Sequence, residues 1–173
     1  MKQDKEVWLR GTLVNGITPL LQPVAHALLQ AEEELHFITT DLKNEWLWLK
    51  PAGCASPGFH LLHIGGVLDR LLTYAEGNAL SNEQLAYLSA ETQTHAFTTN
   101  ELLEKCKAEI KRAIERLKYF SAGMLEDKKS VGRAALPSTV TGLCTHAAEH
   151  TMRHVGQLLV TVKVIHHGSF SEK

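Results

Sequence analysis

The chain has 173 residues, of which 44% are apolar, and a formal net charge of -1 with its 10 histidines counted as neutral. That length fills one hydrophobic core and is short for two, so a single domain spanning 1–173 is expected. The near-neutral balance gives no electrostatic reason to expect nucleic acid or an anionic membrane as partner. Three cysteines, Cys54, Cys106 and Cys144, are odd in number and form no C-x-x-C pair, which suits free thiols in a reducing compartment and makes the cytoplasm the expected location. The start, Met1 to Glu6, lacks an apolar h-region, and no uncharged apolar run approaches the roughly 18 residues of a membrane span, so neither a targeting segment nor a transmembrane helix is expected.

In chain order the pattern is helical nearly throughout. After a short amphipathic stretch from Val7 to Leu13, Pro19 and Pro23 suit a helix entrance, and Leu28, Leu29, Leu35 and Ile38 mark a first long helix ending near Leu42. The segment from Trp46 to Gly58 holds two tryptophans with Pro51, Gly53 and Pro57, and reads as an irregular loop ordered by aromatic packing. A second helix runs from about Phe59 to Tyr74 with Leu61, Ile64, Leu68, Leu71 and Leu72 on its apolar face, and Gly77 stops it. Ser81-Asn82-Glu83-Gln84 and Thr98-Thr99-Asn100-Glu101 resemble capping boxes, the first opening a short helix and the second a long one. In that third long helix Leu103, Cys106, Ile110, Ala113, Leu117 and Phe120 step by threes and fours, while Glu104, Lys107, Glu109, Lys111, Arg112, Glu115 and Arg116 form a mixed-sign solvated face. A polar loop with Gly123, Gly132 and Pro137 leads to a fourth long helix opened by Ser138. No strand pattern stands out. The expected fold is therefore all-α: a four-helix bundle with a short extra helix.

Chemistry concentrates in the fourth long helix, where His146, His150 and His154 recur at helical spacing. At about 100° per residue, Leu143, Ala147, His150, His154, Leu158, Thr161 and Ile165 share one stripe, with His146 at its flank and Glu149, Arg153 and Lys163 outside it. Imidazoles in an apolar seam are costly unless each ring nitrogen finds a partner, and a shared cation supplies one. Two imidazoles hold a divalent ion weakly, so a third ligand is expected from the second helix, where His60 and His63 are the candidates. By angle, His60 lies nearer the middle of the apolar stripe and His63 at its edge. Hydrogen-bonded packing histidines remain the alternative reading.

Ser56-Pro57-Gly58-Phe59-His60-Leu61-Leu62-His63-Ile64, Leu68-Asp69-Arg70-Leu71 and the late His150-x-x-x-His154-x-Gly156-Gln157 together resemble the DinB superfamily of metal-binding four-helix bundles. The resemblance implies one histidine ligand from the second helix and two from the last, at positions matching His63, His150 and His154, with His60 and His146 outside the set. It also implies the activities of characterised members, metal-dependent hydrolysis or transfer of a low-molecular-weight thiol.

Three neutral imidazoles leave coordination positions open for water or substrate, and a divalent ion there lowers the pKa of a bound water or thiol. Zn2+ is the first choice, with Ni2+, Fe2+ and Mn2+ also compatible. Glu149 and Glu45 are candidate bases, Gln157 a candidate pocket or ligand-orienting group, Cys54 a candidate fourth ligand or reactive thiol, and Tyr74 and Arg70 read as structural. Two classes remain: a metal-dependent thiol transferase or hydrolase acting on a small molecule, or a non-catalytic metal-binding bundle. The long apolar helices suggest a homodimer.

Overall fold

Residues 5–168 are described by a computed structural model, in which each of the periodic segments forms a helix. Helix α1, Gln22–Thr39, follows a single 3-10 turn at Pro19–Leu21. It stops three residues before the expected end at Leu42. At that point the Thr39 hydroxyl donates to the carbonyl of Leu35 (2.8 Å) and the Thr40 hydroxyl to that of His36 (2.9 Å), the side-chain competition by which threonine weakens a helix. The loop that follows is ordered as expected, with Leu47 wholly buried and Trp46 and Trp48 half-buried. Trp48 lies so close over Gly58 that a Cβ there would meet its ring at 2.6 Å, so the indole seals the first turn of the next helix.

Helix α2, Pro57–Ala75, begins where Ser56 Oγ accepts the Phe59 N–H (3.3 Å), and ends before Gly77, whose φ of +87° only glycine adopts without strain. Both expected capping boxes are present, at Ser81/Gln84 opening α3 (Asn82–Ala90) and at Thr98/Glu101 opening α4 (Thr99–Leu117). Helix α4 buries Leu102, Leu103, Cys106, Ile110, Ala113, Ile114 and Leu117, while Glu104 with Lys107 and Glu115 with Lys118 pair along its outer face.

Two expectations need correction before the last helix. The polar loop contains an antiparallel hairpin, β1 (Lys128–Val131) and β2 (Leu136–Thr139), in register from Lys128 opposite Thr139 to Val131 opposite Leu136. Four residues per strand are too few for alternation to stand out, and the turn is made by Gly132 (φ +67°) and Ala135 (φ +49°). Helix α5, Val140–His167, is capped by Thr139, whose hydroxyl accepts the Gly142 N–H (3.0 Å), and not by Ser138, which pairs with Lys129 in the hairpin.

Helix α2 packs against α4 and α5, and α1 packs against the same two, so α1 and α2 stand at diagonal corners of a square bundle and α4 and α5 at the others. Leu28, Leu35, Leu61, Ile64, Leu68, Ile110, Leu117 and Leu158 are buried at its centre. Helix α3 lies across α2. No helix of the described residues is long and apolar enough to cross a membrane.

Candidate metal centre

The α2–α5 contact is where the histidines meet. His60 and His63, three apart on α2, face His150 and His154, four apart on α5. His60 Nδ1 lies 2.9 Å from His154 Nδ1, and His63 Nε2 lies 3.0 Å from His150 Nε2. The Phe59 ring stacks on His63 at a centroid distance of 5.0 Å and walls one side of the group.

Burial differs from the stripe read along α5. The wholly buried position in this stretch is Thr151, and the seam continues through Val155, Leu158 and Val162, leaving His150 and His154 half-buried at its rim. Packing against both α1 and α2 widens the face that α5 buries and moves its centre toward Cys144, Ala148 and Thr151. On α2 the angular reading of depth holds, since His60 is buried and His63 half-buried. Depth does not choose the cluster, however: His63, His150 and His154 each offer a nitrogen within 4.8 Å of the others, and His60, although its Nδ1 lies 2.9 Å from that of His154, is outside that set.

Electrostatics disfavours the charged form of three of these rings, His60, His150 and His154. Burial, with His63 adding to it, pushes the His60 imidazole down to about 4. Burial first and the neighbouring His63, His150 and His60 next push His154 down to about 3, and His150 is lowered for the same leading reason. Neutral imidazole is the protonation state that has a lone pair for a metal.

The donor set suits a divalent transition metal. Two nitrogens bound to one ion at roughly 2.1 Å stand about 3.0–3.4 Å apart for cis ligand angles, and His63 and His150 already present theirs at 3.0 Å. His150 Nδ1 is buried with no hydrogen-bond partner, so no outer bond holds that ring's proton in one place. His63, His150 and His154 could therefore hold an ion. A second group, His146, Glu149 and His150, is also close enough. There both Glu149 oxygens are engaged by Arg153 (2.5 and 2.6 Å from Nη2), and His146 and Glu149 are exposed.

The remaining candidates separate clearly. Glu45 is exposed and stands 3.9 Å from Lys43, and Gln157 is exposed. Tyr74 packs against the core. All three cysteines are free, with Cys54 exposed. Cys106 and Cys144 are buried, and burial pushes each thiol up to about 12, too high for a thiolate near neutral pH. Cys106 is core as its periodicity implies. Arg70 has a larger part than a structural filler: its guanidinium donates to Glu91 Oε1 at 2.5 Å, while Glu91 Oε2 lies 2.7 Å from His63 Nδ1. Glu91, only 1% exposed, escaped the sequence reading because it stands alone at the end of the otherwise exposed α3. The available signal was Gly65-Gly66 inside α2, a pair that marks close approach of a neighbour.

A family model of the DinB superfamily matches residues 26–158, from the first turns of α1 to beyond His154 on α5. The chain belongs to the DinB superfamily. The match takes in all four facing histidines as well as Arg70 and Glu91, and DinB membership together with the histidine triad fits a metal-binding protein. No curated protein matches this DinB chain.

Proposed function

We propose that this protein is a metal-dependent enzyme of the DinB superfamily that uses His63, His150 and His154 as its only protein ligands, with Zn2+ as the first candidate ion. The observation that carries this reading is the position of the three rings. Their nitrogens converge within 4.8 Å at a half-buried rim, so the side of the site away from the core faces outward. A divalent ion held there supplies a lowered pKa to a water or thiol that reaches it.

The surrounding side chains favour thiol transfer over hydrolysis. Both carboxylates nearest the triad are already engaged, Glu91 by Arg70 and His63, and Glu149 by Arg153. A hydrolase gains from a free general base beside the attacking water. A thiol held by the ion would have its pKa lowered enough to release its proton to solvent without one. Phe59 offers an apolar wall against which a small electrophilic acceptor can rest. Three free cysteines suit a reducing, cytoplasmic setting in which low-molecular-weight thiols are abundant. The same engaged carboxylates favour, as the second reading, a metal that only staples α2 to α5.

Cobalt substitution separates the two. The protein purified without a metal-binding tag is expected to carry close to one transition metal per chain, and its cobalt form is expected to change its visible spectrum when a small thiol is added. A spectrum unmoved by thiols and by azide assigns the ion a structural role.

A further inference from the structure

We infer that Glu91, held in place by Arg70, is a positioning residue that keeps the proton of His63 on Nδ1 and thereby keeps Nε2 open toward the ion. The inference rests on the metal-site reading given above. Its evidence is a chain of contacts: Arg70 Nη1 to Glu91 Oε1 at 2.5 Å, Glu91 Oε2 to His63 Nδ1 at 2.7 Å, and His63 Nε2 toward His150 Nε2 at 3.0 Å. Guanidinium has donors only, so it meets a carboxylate that accepts, and the other oxygen of that carboxylate accepts in turn. His63 Nδ1 must then carry the hydrogen. A neutral imidazole with Nδ1–H has its lone pair on Nε2, the nitrogen that faces His150. Outer hydrogen bonds of this kind orient ligating histidines and raise their basicity.

The fold makes room for this contact at one point. A Cβ at Gly66 would collide with Glu91 Oε1, with Arg70 Nη1 at 2.6 Å and with Tyr87 Cε1 at 2.7 Å. Glu91 itself sits at the C-terminal end of α3, with its N–H donating to the Tyr87 carbonyl (3.1 Å), while the Tyr87 hydroxyl donates to the Leu62 carbonyl on α2 (3.1 Å). The whole of α3 is thus tied to the turn of α2 that carries His63. Among the described residues no carboxylate is hydrogen-bonded to the other two rings: His154 Nδ1 lies 2.9 Å from His60 Nδ1, and His150 Nδ1 has no hydrogen-bond partner.

Replacing Glu91 with glutamine gives a sharp test because the two side chains have nearly the same shape. Arg70 can accept nothing, so it claims the amide oxygen, and the amide NH2 is turned toward His63 Nδ1. That nitrogen then has to accept, and the proton moves to Nε2, where it blocks the lone pair. Two measurements follow. In the metal-free protein, long-range 1H–15N correlation of the imidazole resonances is expected to show His63 as the Nδ1–H tautomer in the wild type and as Nε2–H in Glu91→Gln. Competition with a chromophoric chelator is expected to show Zn2+ affinity about 10–100-fold lower in Glu91→Gln, at the same Zn2+ stoichiometry.

The tautomer is read without metal, so this proposal and the metal-site reading fail separately. A wild-type protein that binds no Zn2+ overturns the site, whatever the tautomer. A wild-type His63 with its proton on Nε2 overturns the role of Glu91 even if Zn2+ binds, and it does so without requiring the variant to fold. A flipped tautomer with unchanged Zn2+ affinity overturns it as well.

Discussion

Helix α4 covers its share of the core with Leu102, Leu103, Cys106, Ile110, Ala113, Ile114 and Leu117 and keeps its charges outside, whereas the facing helices α2 and α5 interrupt a similar seam with four histidines and an arginine, to which the end of α3 adds Glu91. The two interfaces stabilise by different means. Along α4 each buried group contributes by leaving water, and no group needs a particular partner. Between α2 and α5 each buried polar atom needs a specific neighbour, and His150 Nδ1 shows what is left when the protein supplies none. Stability can therefore be distributed over the first interface, while the second concentrates recognition in a few atoms.

The largest break of this contrast comes from removing ligands. His63→Ala, His150→Ala and His154→Ala are each expected to reduce Zn2+ affinity by more than the about 10–100-fold typical of a supporting residue, with the helical circular dichroism kept, while His146→Ala leaves metal content unchanged. Elemental analysis alongside chelator competition checks this; retention of full affinity in all three variants removes the site. Next in size is Ile110→Ala in α4, which leaves a cavity at a fully buried position and is expected to cost about 2–5 kcal/mol in denaturant unfolding with Zn2+ stoichiometry preserved. Loss of metal in that variant would mean the two interfaces are not separable.

Gly66→Ala tests the border between the two. Replacing a mid-helix glycine by alanine ordinarily stabilises by roughly 0.5–1 kcal/mol. Here the added methyl meets Glu91, Arg70 and Tyr87, so destabilisation of about 1–3 kcal/mol together with weaker Zn2+ binding is expected. A gain in melting temperature would show that Glu91 is free to move.

The contrast also extends to pH dependence. His60 and His154 titrate at about 4 and about 3 in the folded protein and near 6.5 when unfolded, so below about 6.5 the unfolded chain takes up protons that the native state refuses. Stability of the chelator-treated protein is expected to be level above that pH and to fall as the pH is lowered toward 4, with a shallower fall in His60→Gln. Thermal unfolding across the window measures both; an identical slope in the variant would place the proton uptake elsewhere.

Much of this protein is determined by neighbours in sequence. The capping boxes at Ser81 and Thr98, the stop at Gly77 and the seam of α4 act within one or two turns, and periodicity reads them directly. The same holds for His150 and His154, which share a face because one helix carries both. The four-residue strands of the hairpin were too short to register, and their pairing moved the cap of α5 from Ser138 to Thr139. Angle around α2 favoured His60, because it gives depth but not the position of the facing helix; the resemblance pointed to His63, and tertiary packing groups His63 with the α5 pair while the deeper His60 lies beside His154. Packing alone also brought Glu91, 28 residues along the chain, against His63 Nδ1, since the long-range placement of a single carboxylate leaves no periodic trace.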